Sequence, residues 1–442
     1  MKQRIILSIL VFIFILSTIP LHSGIFPFQV HRKVLDNGMK ILVIPLPNPG
    51  LVAYYSVVRT GSRDEYEPGH SGFAHFFEHM MFRGTKRFPN ELYQKILTEM
   101  GAASNGYTSL DLTVYHLIIT KDDLEQLMDM ESDRFRNLEY TEQDFKTESG
   151  AVYGEYLKNK TNPGFLLNET LMNTAFDVHT YKHTTMGFEA DIKAMPTMYE
   201  YSKSFFKRYY RPENVVLVVC GDVVPDQVFK MAEKYYSPWE KGYVPPKIQE
   251  EPEQTAPRSG NVKFEGKTLP ILAVGYKGLR YMPDSKEYVA MSLLGDVMFG
   301  STSDFYNNLV LEKQIAQFAF ASFNGDRDPS INTIMVMIKK KENIDLVKQT
   351  IADTIKKFQT DLMDSKKLED LKNSNKYSFL MQLSSTGDVA GMLPSFIALT
   401  GDITAIDTYF ETLGTVTPED IRQAAIKFLT DNRKTEILLE GE

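Results

Sequence analysis

The chain has 442 residues, of which 43% are hydrophobic and 24% charged, and its formal net charge at pH 7 is −8. This composition excludes a disordered chain, and the length exceeds one ordinary core, so two domains of roughly 200 residues each are expected. Nucleic-acid binding needs a concentrated basic face, and the sequence has no block of lysine and arginine. No nucleic-acid partner is therefore expected.

The first 24 residues differ in composition from the rest of the chain. Lys2 and Arg4 precede an apolar run that extends from Ile5 to Leu21, which is the outline of an export signal. The end of this run is a poor match to a cleavage site, and about 17 apolar residues are barely enough to span a bilayer. Residues 1–24 are predicted to be a signal peptide or a membrane anchor. The protein is then periplasmic, or anchored and facing the periplasm or the extracellular side.

Strands and helices alternate along the first half of the chain. The apolar segments 39–45 and 51–59 are predicted to pair as two strands around the turn cluster at 47–50. Because the second half also mixes both kinds of element, the predicted fold class is α+β rather than a helical bundle. Helices are expected at 72–82, 90–100, 121–136 and 141–158, and a further strand at 112–119.

A proline-rich stretch divides the chain near its middle. Residues 241–260 contain four prolines and a run of glutamate and glutamine, a composition typical of an exposed linker. Each half ends with a proline, a helical pattern, an asparagine and a short apolar strand, at 215–220 and at 435–439. We therefore predict two homologous domains, 28–240 and 261–442, joined by this linker.

The segment HFFEH, from His75 to His79, carries the strongest chemical signal. Its two histidines are four residues apart, so on a helix they lie on one face, one turn apart, where both rings can bind one zinc ion. Glu78 projects to the same side and can take the proton of a zinc-bound water, whose acidity the metal raises. The motif therefore predicts a catalytic site with one Zn²⁺ per chain.

Catalytic zinc needs a third protein ligand, and two downstream glutamates qualify. Glu148 and Glu155 are seven residues apart in ESGAVYGE, which places them two turns apart along one helix face. The apolar residues between them indicate a largely buried helix, where an unpaired carboxylate is costly. From the chemistry alone, either glutamate could be the ligand.

The segment GHSGFAHFFEHMMFRGTKRFP closely resembles the zinc motif of the pitrilysin, insulin-degrading enzyme and mitochondrial processing peptidase family, the inverted-motif zinc peptidases. The resemblance extends over nearly all of the chain after residue 24, through LDNGMKILVIP, GSRDE, SNGYTSLDLTVYHL, ESGAVYGE, YYRPENVVLVVCGD and the linker. It implies domains built as sandwiches of a mixed, mostly antiparallel sheet with helices packed on it. The site residues that it implies are His75, His79 and Glu155 as zinc ligands, Glu78 as general base and Glu148 as an outer partner of the site.

The resemblance also assigns a function to the segment SNGYTSLDLTVY. In relatives this segment is an edge strand beside the zinc, and the substrate backbone pairs with it as an added strand. Asn105 and Tyr107 are therefore the predicted substrate-binding residues. Gly106 stands where relatives usually have alanine, which is a mild departure from the family pattern.

The leading functional prediction is a zinc-dependent endopeptidase that hydrolyses extended peptides or unfolded polypeptides. The alternative is a non-catalytic scaffold or a peptide-binding subunit of a heteromeric complex, because the family contains such members. Those members typically lose the zinc motif, which is complete in this sequence.

The second half lacks two residues that relatives use. In relatives it supplies an arginine and a tyrosine, in a segment like LREKRGLAY, that reach toward the bound substrate. The matching segment NLVLEKQIAQF has Leu311 and Phe318 at those positions, and neither side chain can donate a hydrogen bond. We therefore predict a half-size, bacterial-type member that is the zinc-bearing subunit of a dimer. Its partner is a homologous subunit that lacks the zinc motif, or a second copy of itself.

Overall fold

The computed structural model describes residues 24–442, so the predicted export segment lies outside the described residues except for Gly24. Two mixed β-sheets form the framework. The strands of the first sheet are β1 (His31–Val34), β2 (Lys40–Pro45), β3 (Leu51–Val58), β4 (Ala103–Thr108), β5 (Thr113–Thr120) and β6 (Val215–Gly221). Those of the second sheet are β7 (Arg258–Phe264), β8 (Ile271–Lys277), β9 (Ala316–Ser322), β10 (Ile331–Ile338) and β11 (Lys434–Gly441).

Helices cover both sheets, and those predicted in the first half are present with ends that differ by at most three residues. Among residues 24–442, no single helix is both long and apolar enough to cross a membrane. In that part of the chain, one pair of helices, Thr386–Thr400 with Ala405–Thr415, is long and apolar enough when taken together, and it is bent by 83°. The first half contains α1 (Phe73–Met80), α2 (Asn90–Glu99), α3 (Leu124–Asn137), α4 (Glu142–Asn159), α5 (Pro163–Ala175), α6 (Glu189–Ala194), α7 (Tyr199–Tyr209) and α8 (Pro225–Tyr236). The second half contains α9 (Lys286–Phe299), α10 (Asp304–Tyr306) with the π-helix Asn307–Glu312 after it, α11 (Ile344–Thr360), α12 (Ser365–Met381), α13 (Thr386–Thr400), α14 (Ala405–Thr415) and α15 (Pro418–Phe428).

The two sheets have the same topology. The strand order is β1-β2-β6-β3-β5-β4 in the first sheet and β7-β11-β8-β10-β9 in the second. Without β1, each neighbouring pair in the first sheet has a counterpart in the second. The pairs β2–β6 and β7–β11 are parallel, and the other pairs are antiparallel. The predicted α+β class with mixed, mostly antiparallel sheets is confirmed.

The predicted pairing of segments 39–45 and 51–59 is wrong. Strand β6 lies between β2 and β3, parallel to the first and antiparallel to the second. Every residue of β6 is buried, and such a strand is most stable at the centre of a sheet, where both of its faces are covered. The turn cluster at 47–50 therefore connects two strands that are not neighbours.

Each sheet carries helices of its own half on one face and a helix of the other half on the opposite face. Helix α13 packs on β3 and β6, and α5 packs on β7, β8 and β11. Leu393 of α13 shares a buried apolar cluster with Val57 of β3, and Leu171 of α5 shares one with Ile437 of β11. The halves therefore complete each other's cores.

The segment between the halves has neither helix nor strand from residue 241 to residue 257. Strand β7 begins at Arg258, within the predicted linker. The Glu251 carboxylate in this segment accepts hydrogen bonds from three consecutive backbone N–H groups, those of residues 177–179, at 2.8 to 3.0 Å. The limits 28–240 and 261–442 therefore remain a proposal, and the first strand of the second sheet begins three residues before the second limit.

Candidate metal centre

Helix α1 presents the HFFEH motif because its two faces differ in polarity. Phe73, Phe76 and Phe77 are fully buried in the core under the first sheet. Glu78 and His79 lie on the other face and are partly exposed. Burial of the three aromatic rings stabilises the helix and fixes its rotation, so that Glu78 and His79 lie together on the face away from this core.

The N-terminus of α1 is capped by a buried carboxylate from the preceding segment. Glu65 accepts hydrogen bonds from the backbone N–H groups of Gly72, at 2.7 Å, and Ala74, at 2.6 Å. Burial raises the pKa of the Glu65 carboxyl well above its ordinary value, although these two hydrogen bonds favour the charged form. The sequence prediction assigned no function to Glu65. The available signal was an acidic residue placed shortly before a predicted helix that begins with glycine.

Three ligand atoms converge beside α1. Glu155 Oε2 lies 3.4 Å from His79 Nε2 and 3.7 Å from His75 Nε2, and ligand atoms of the three residues all lie within 4.8 Å of one another. Ligands about 2.1 Å from a tetrahedral zinc ion are about 3.4 Å apart, and two imidazoles with one carboxylate are a usual donor set for catalytic zinc. The residues present therefore fit this metal.

The two histidines of the site are held differently. Burial, together with the neighbouring His79 ring, lowers the pKa of His75 to about 4, which favours the neutral imidazole that a metal needs. The Nδ1 atom of His79 instead shares a hydrogen bond of 2.9 Å with Glu148 Oε1. This bond raises the pKa of His79 and leaves its Nε2 atom facing Glu155.

Glu148 lies behind His79 rather than beside both rings. Arg83 Nε donates to Glu148 Oε2 at 2.8 Å, so both carboxylate oxygens have partners. Burial by itself would raise the pKa of Glu148, but the hydrogen bonds from His79 and Arg83 outweigh burial and lower it. A carboxylate in this position orients a ligand ring and increases its basicity.

Glu78 lies next to the three converging groups and lines a cavity of about 480 Å³. Burial raises the pKa of its carboxyl, while a hydrogen bond from Thr108 acts in the opposite direction. The remaining lining residues of this cavity are His79, Phe82, Arg83, Asn90, Gln94 and Glu148.

Strand β4 borders the site at the open edge of the first sheet, where β5 is its single partner strand among the described residues 24–442. Gly106 and Thr108 lie on the face toward α1. A Cβ atom at Gly106 would be 3.3 Å from Glu78 Cγ, and Thr108 bonds to the Glu78 carboxylate. Because side chains alternate along a strand, Asn105 and Tyr107 lie on the opposite face. The structure thus brings together five predicted site residues but does not bring the Asn105 and Tyr107 side chains to Glu78.

Two family models match this chain. The model described as "Insulinase (Peptidase family M16)" matches residues 51–189, and the one described as "Peptidase M16 inactive domain" matches residues 198–375. The five residues that converge at the site all lie within the first of these ranges.

Several known proteins are similar to this chain over almost its whole length. The chain is 27% identical over 417 residues to the zinc protease PqqE of Helicobacter pylori. The aligned region covers 93% of each protein. It is 23% identical over 405 residues to an uncharacterized zinc protease, YmxG, of Bacillus subtilis, with 91% of this chain and 97% of the relative covered. The crystal structure of a protease from Helicobacter pylori superposes with a TM-score of 0.87 and 26% identity, covering 93% of this chain and 99% of that one.

Proposed function

The chain belongs to the M16 insulinase family of peptidases, and from this membership and the site geometry we propose that it is a zinc-dependent endopeptidase. Its proposed substrates are extended peptides or unfolded polypeptides. The observation that carries the proposal is the convergence of His75, His79 and Glu155, whose ligand atoms lie within 4.8 Å of one another. Glu78, from the same helix as the two histidines, lines a cavity together with His79.

Each residue of the site has a separate task in the proposed reaction. His75, His79 and Glu155 would hold zinc, which when bound supplies a Lewis acid and makes water more acidic. Glu78 accepts a proton from the attacking water and passes it to the leaving amine. Glu148 keeps the ring of His79 in the orientation that directs its Nε2 atom toward Glu155.

The substrate is proposed to pair with the free edge of β4. The first three residues of this strand are exposed, and its outer edge has no partner strand among residues 24–442. Main-chain hydrogen bonds along such an edge do not depend on side chains, which suits a peptidase with loose sequence preference. Asn105 and Tyr107 would then bind substrate through the backbone of β4, since their side chains lie on the face away from Glu78.

The substitution Glu78→Gln tests the catalytic assignment, because glutamine keeps the shape of the side chain but cannot accept the proton. The purified variant is expected to hold one zinc ion per chain and to cleave a peptide library at less than about a hundredth of the wild-type rate. Zinc content is measured by atomic absorption and cleavage by mass spectrometry. Higher residual activity would exclude Glu78 as the base. A wild-type protein whose activity survives a chelator would exclude the metal.

A non-catalytic scaffold or peptide-binding subunit is the second candidate function. One observation favours it, namely that residues 198–375 match a domain described as inactive. The converging residues lie outside this range, within 51–189, which supports the peptidase. A zinc-loaded wild-type protein that binds the peptide library but releases no fragments, alone or with a partner, would select the scaffold.

The proposal includes a second subunit. Leu311 is 57% exposed in the π-helix, and Phe318 lies on β9, one of the two edge strands of the second sheet. Neither side chain can donate the hydrogen bonds that an arginine and a tyrosine would offer to a substrate. We infer that a homologous subunit lacking the zinc motif supplies them, or that a homodimer binds substrate by backbone groups alone.

We also propose that the chain is exported, either to the periplasm or as an anchored protein facing outward. The support is the composition of residues 1–24, where two basic residues precede an apolar run. Cell fractionation tests export, and the mass of the purified N-terminal peptide distinguishes a cleaved signal from a retained anchor.

A further inference from the structure

The Glu78 carboxylate has a single hydrogen-bond partner among the residues that the structure describes. Thr108 Oγ1 donates to Glu78 Oε2 at 2.7 Å. The second oxygen, Oε1, has no protein partner within residues 24–442, and Glu78 lines the cavity of about 480 Å³ together with His79, one of the three converging ligands. One oxygen is therefore held by the protein, and the other is available to a molecule in the site.

The backbone around Thr108 is well fixed. Thr108 is the last residue of β4 and is paired with Thr113, the first residue of β5. The turn between the two strands is closed by the N–H of Ser109, which donates to the carbonyl oxygen of Leu112 at 2.8 Å. The hydroxyl of Thr108 is thus held at the closed end of a hairpin whose second strand lies inside the sheet.

Strand β4 meets Glu78 at two positions of the same face. At Gly106 a Cβ atom would lie 3.3 Å from Glu78 Cγ and 3.3 Å from the carbonyl oxygen of Val114. Two residues further along, Thr108 supplies the hydrogen bond. The strand therefore leaves room for the base at one position and holds its carboxylate at the next.

We propose that Thr108 is a positioning residue for Glu78. Its hydroxyl fixes one carboxylate oxygen and thereby directs the other toward the attacking water. The inference rests on the proposed function, because it assigns a task relative to the proposed base. It also links substrate and base, since the strand proposed to bind the peptide is the strand that orients the carboxylate.

The test compares Thr108→Val with Thr108→Ser. Valine keeps the branched shape of threonine but has no hydroxyl, whereas serine keeps the hydroxyl. Thr108→Val is expected to lower kcat about tenfold or more with KM unchanged, as loss of a hydrogen bond to a charged group implies. Thr108→Ser should stay within about twofold of wild type. Both should bind zinc with wild-type stoichiometry and affinity, measured by competition with a chelator.

Thr113→Val is the matched control. Thr113 is buried opposite Thr108, and its hydroxyl donates to the carbonyl oxygen of Thr60 at 2.9 Å rather than to Glu78. This variant should lower Tm while kcat stays at the wild-type value. A Thr108→Val enzyme with wild-type kcat, or one that changes only KM, would overturn the inference while leaving the peptidase in place. A failure of Thr108→Ser to restore kcat would do the same. An inactive wild-type protein would overturn the proposed function and this inference with it.

Discussion

The two ring nitrogens of His79 have different environments, and this difference decides how the site is arranged. Nδ1 bonds to Glu148 at 2.9 Å, while Nε2 lies 3.4 Å from the Glu155 carboxylate. Arg83 binds the second oxygen of Glu148, so that carboxylate has little capacity left for a metal. Glu155 is the more available ligand. Its carboxylate lies farther from the histidine nitrogens, and its side chain is 39% exposed.

We predict that Glu155→Gln weakens zinc binding more than Glu148→Gln does. The first change removes a charged ligand atom, whereas the second loosens the orientation of His79 and should cost about 10 to 100-fold in metal affinity. Zinc affinity is measured by chelator competition on each purified variant. The reverse ranking would exchange the roles of the two glutamates.

The environment of Asp326, outside the metal site, controls the charge of its carboxyl group. It lines a cavity of about 290 Å³ between the two halves, together with Asp111 from the first half. Burial, with the negative charges of Asp111 and Asp328, raises the pKa of Asp326 to about 6, although a hydrogen bond with Ser330 opposes the rise. The folded protein therefore binds a proton here more tightly than the unfolded chain does.

This shift predicts a pH dependence of stability. Between about pH 4 and pH 6 the folded state holds more protons at Asp326, so the free energy of unfolding falls as pH rises through this window. Asp326→Asn should remove this decrease in the free energy of unfolding, because asparagine does not titrate. The variant should then be more stable than wild type at pH 7.5 by at most about 3 kcal/mol. At pH 4 it should give no advantage. Urea unfolding at both pH values measures the difference, and a difference that does not change with pH would contradict the prediction.

At the scale of secondary-structure elements, each half contributes one helix, α5 or α13, to the sheet of the other half. This exchange of helices distinguishes the fold from two domains placed side by side. Helix α13 of the second half is buried on the first sheet, where Leu393 and Ile397 are fully inaccessible. Helix α5 of the first half packs on the second sheet in the same way. Removing either helix would expose an apolar sheet face in the other half, so the halves should unfold together.

Leu393→Ala tests this exchange. Loss of a fully buried leucine leaves a cavity and typically costs about 2 to 5 kcal/mol of unfolding free energy. Leu346→Ala, on α11 and 45% exposed, is the matched control and should change stability by less than about 1 kcal/mol. Urea unfolding should give one transition for each protein. Equal effects of the two substitutions, or separate transitions for the two halves, would contradict the prediction.

At the scale of the whole molecule, a polar network also joins the halves. Asp328 of the second half accepts hydrogen bonds from Arg63 Nε at 2.6 Å and shares one with His179 Nε2 at 3.0 Å. The backbone N–H of Arg327 donates to Asp111 at 2.9 Å. Charged groups held in this way are costly to separate once they are partly buried. The chain therefore forms one unit, and we infer that it supplies one wall of a substrate chamber, with a second subunit as the other.

The proposed dimer predicts that activity depends on concentration. Because the arginine and tyrosine positions hold Leu311 and Phe318, the isolated chain lacks the two side-chain donors that relatives offer to the substrate. Its specific activity should therefore fall at least about tenfold on dilution to a monomer. Mass photometry identifies the oligomeric state of each sample, and peptide cleavage is measured in parallel. Adding a homologous subunit that carries both residues should restore activity. Undiminished activity from a demonstrated monomer would refute both the heterodimer and the homodimer.

The sequence alone was enough for the features that depend on local geometry. The spacing of His75, Glu78 and His79 puts them on one helix face whatever the rest of the chain does, because a helix repeats every 3.6 residues. Alternating strand and helix patterns likewise led to the α+β class. The composition of 241–260 and the similar ends of the two halves indicated the duplication that the repeated sheet topology now displays.

Tertiary structure decided which distant segments meet. It put β6 between β2 and β3, exchanged α5 and α13 between the sheets, and brought Glu65 and Thr108 to opposite ends of α1. It also set Glu155, rather than Glu148, beside the Nε2 atoms of both histidines, a choice that helix spacing left open. The physical reason is that residue spacing fixes directions only within one element, whereas contacts between elements depend on which apolar faces bury each other.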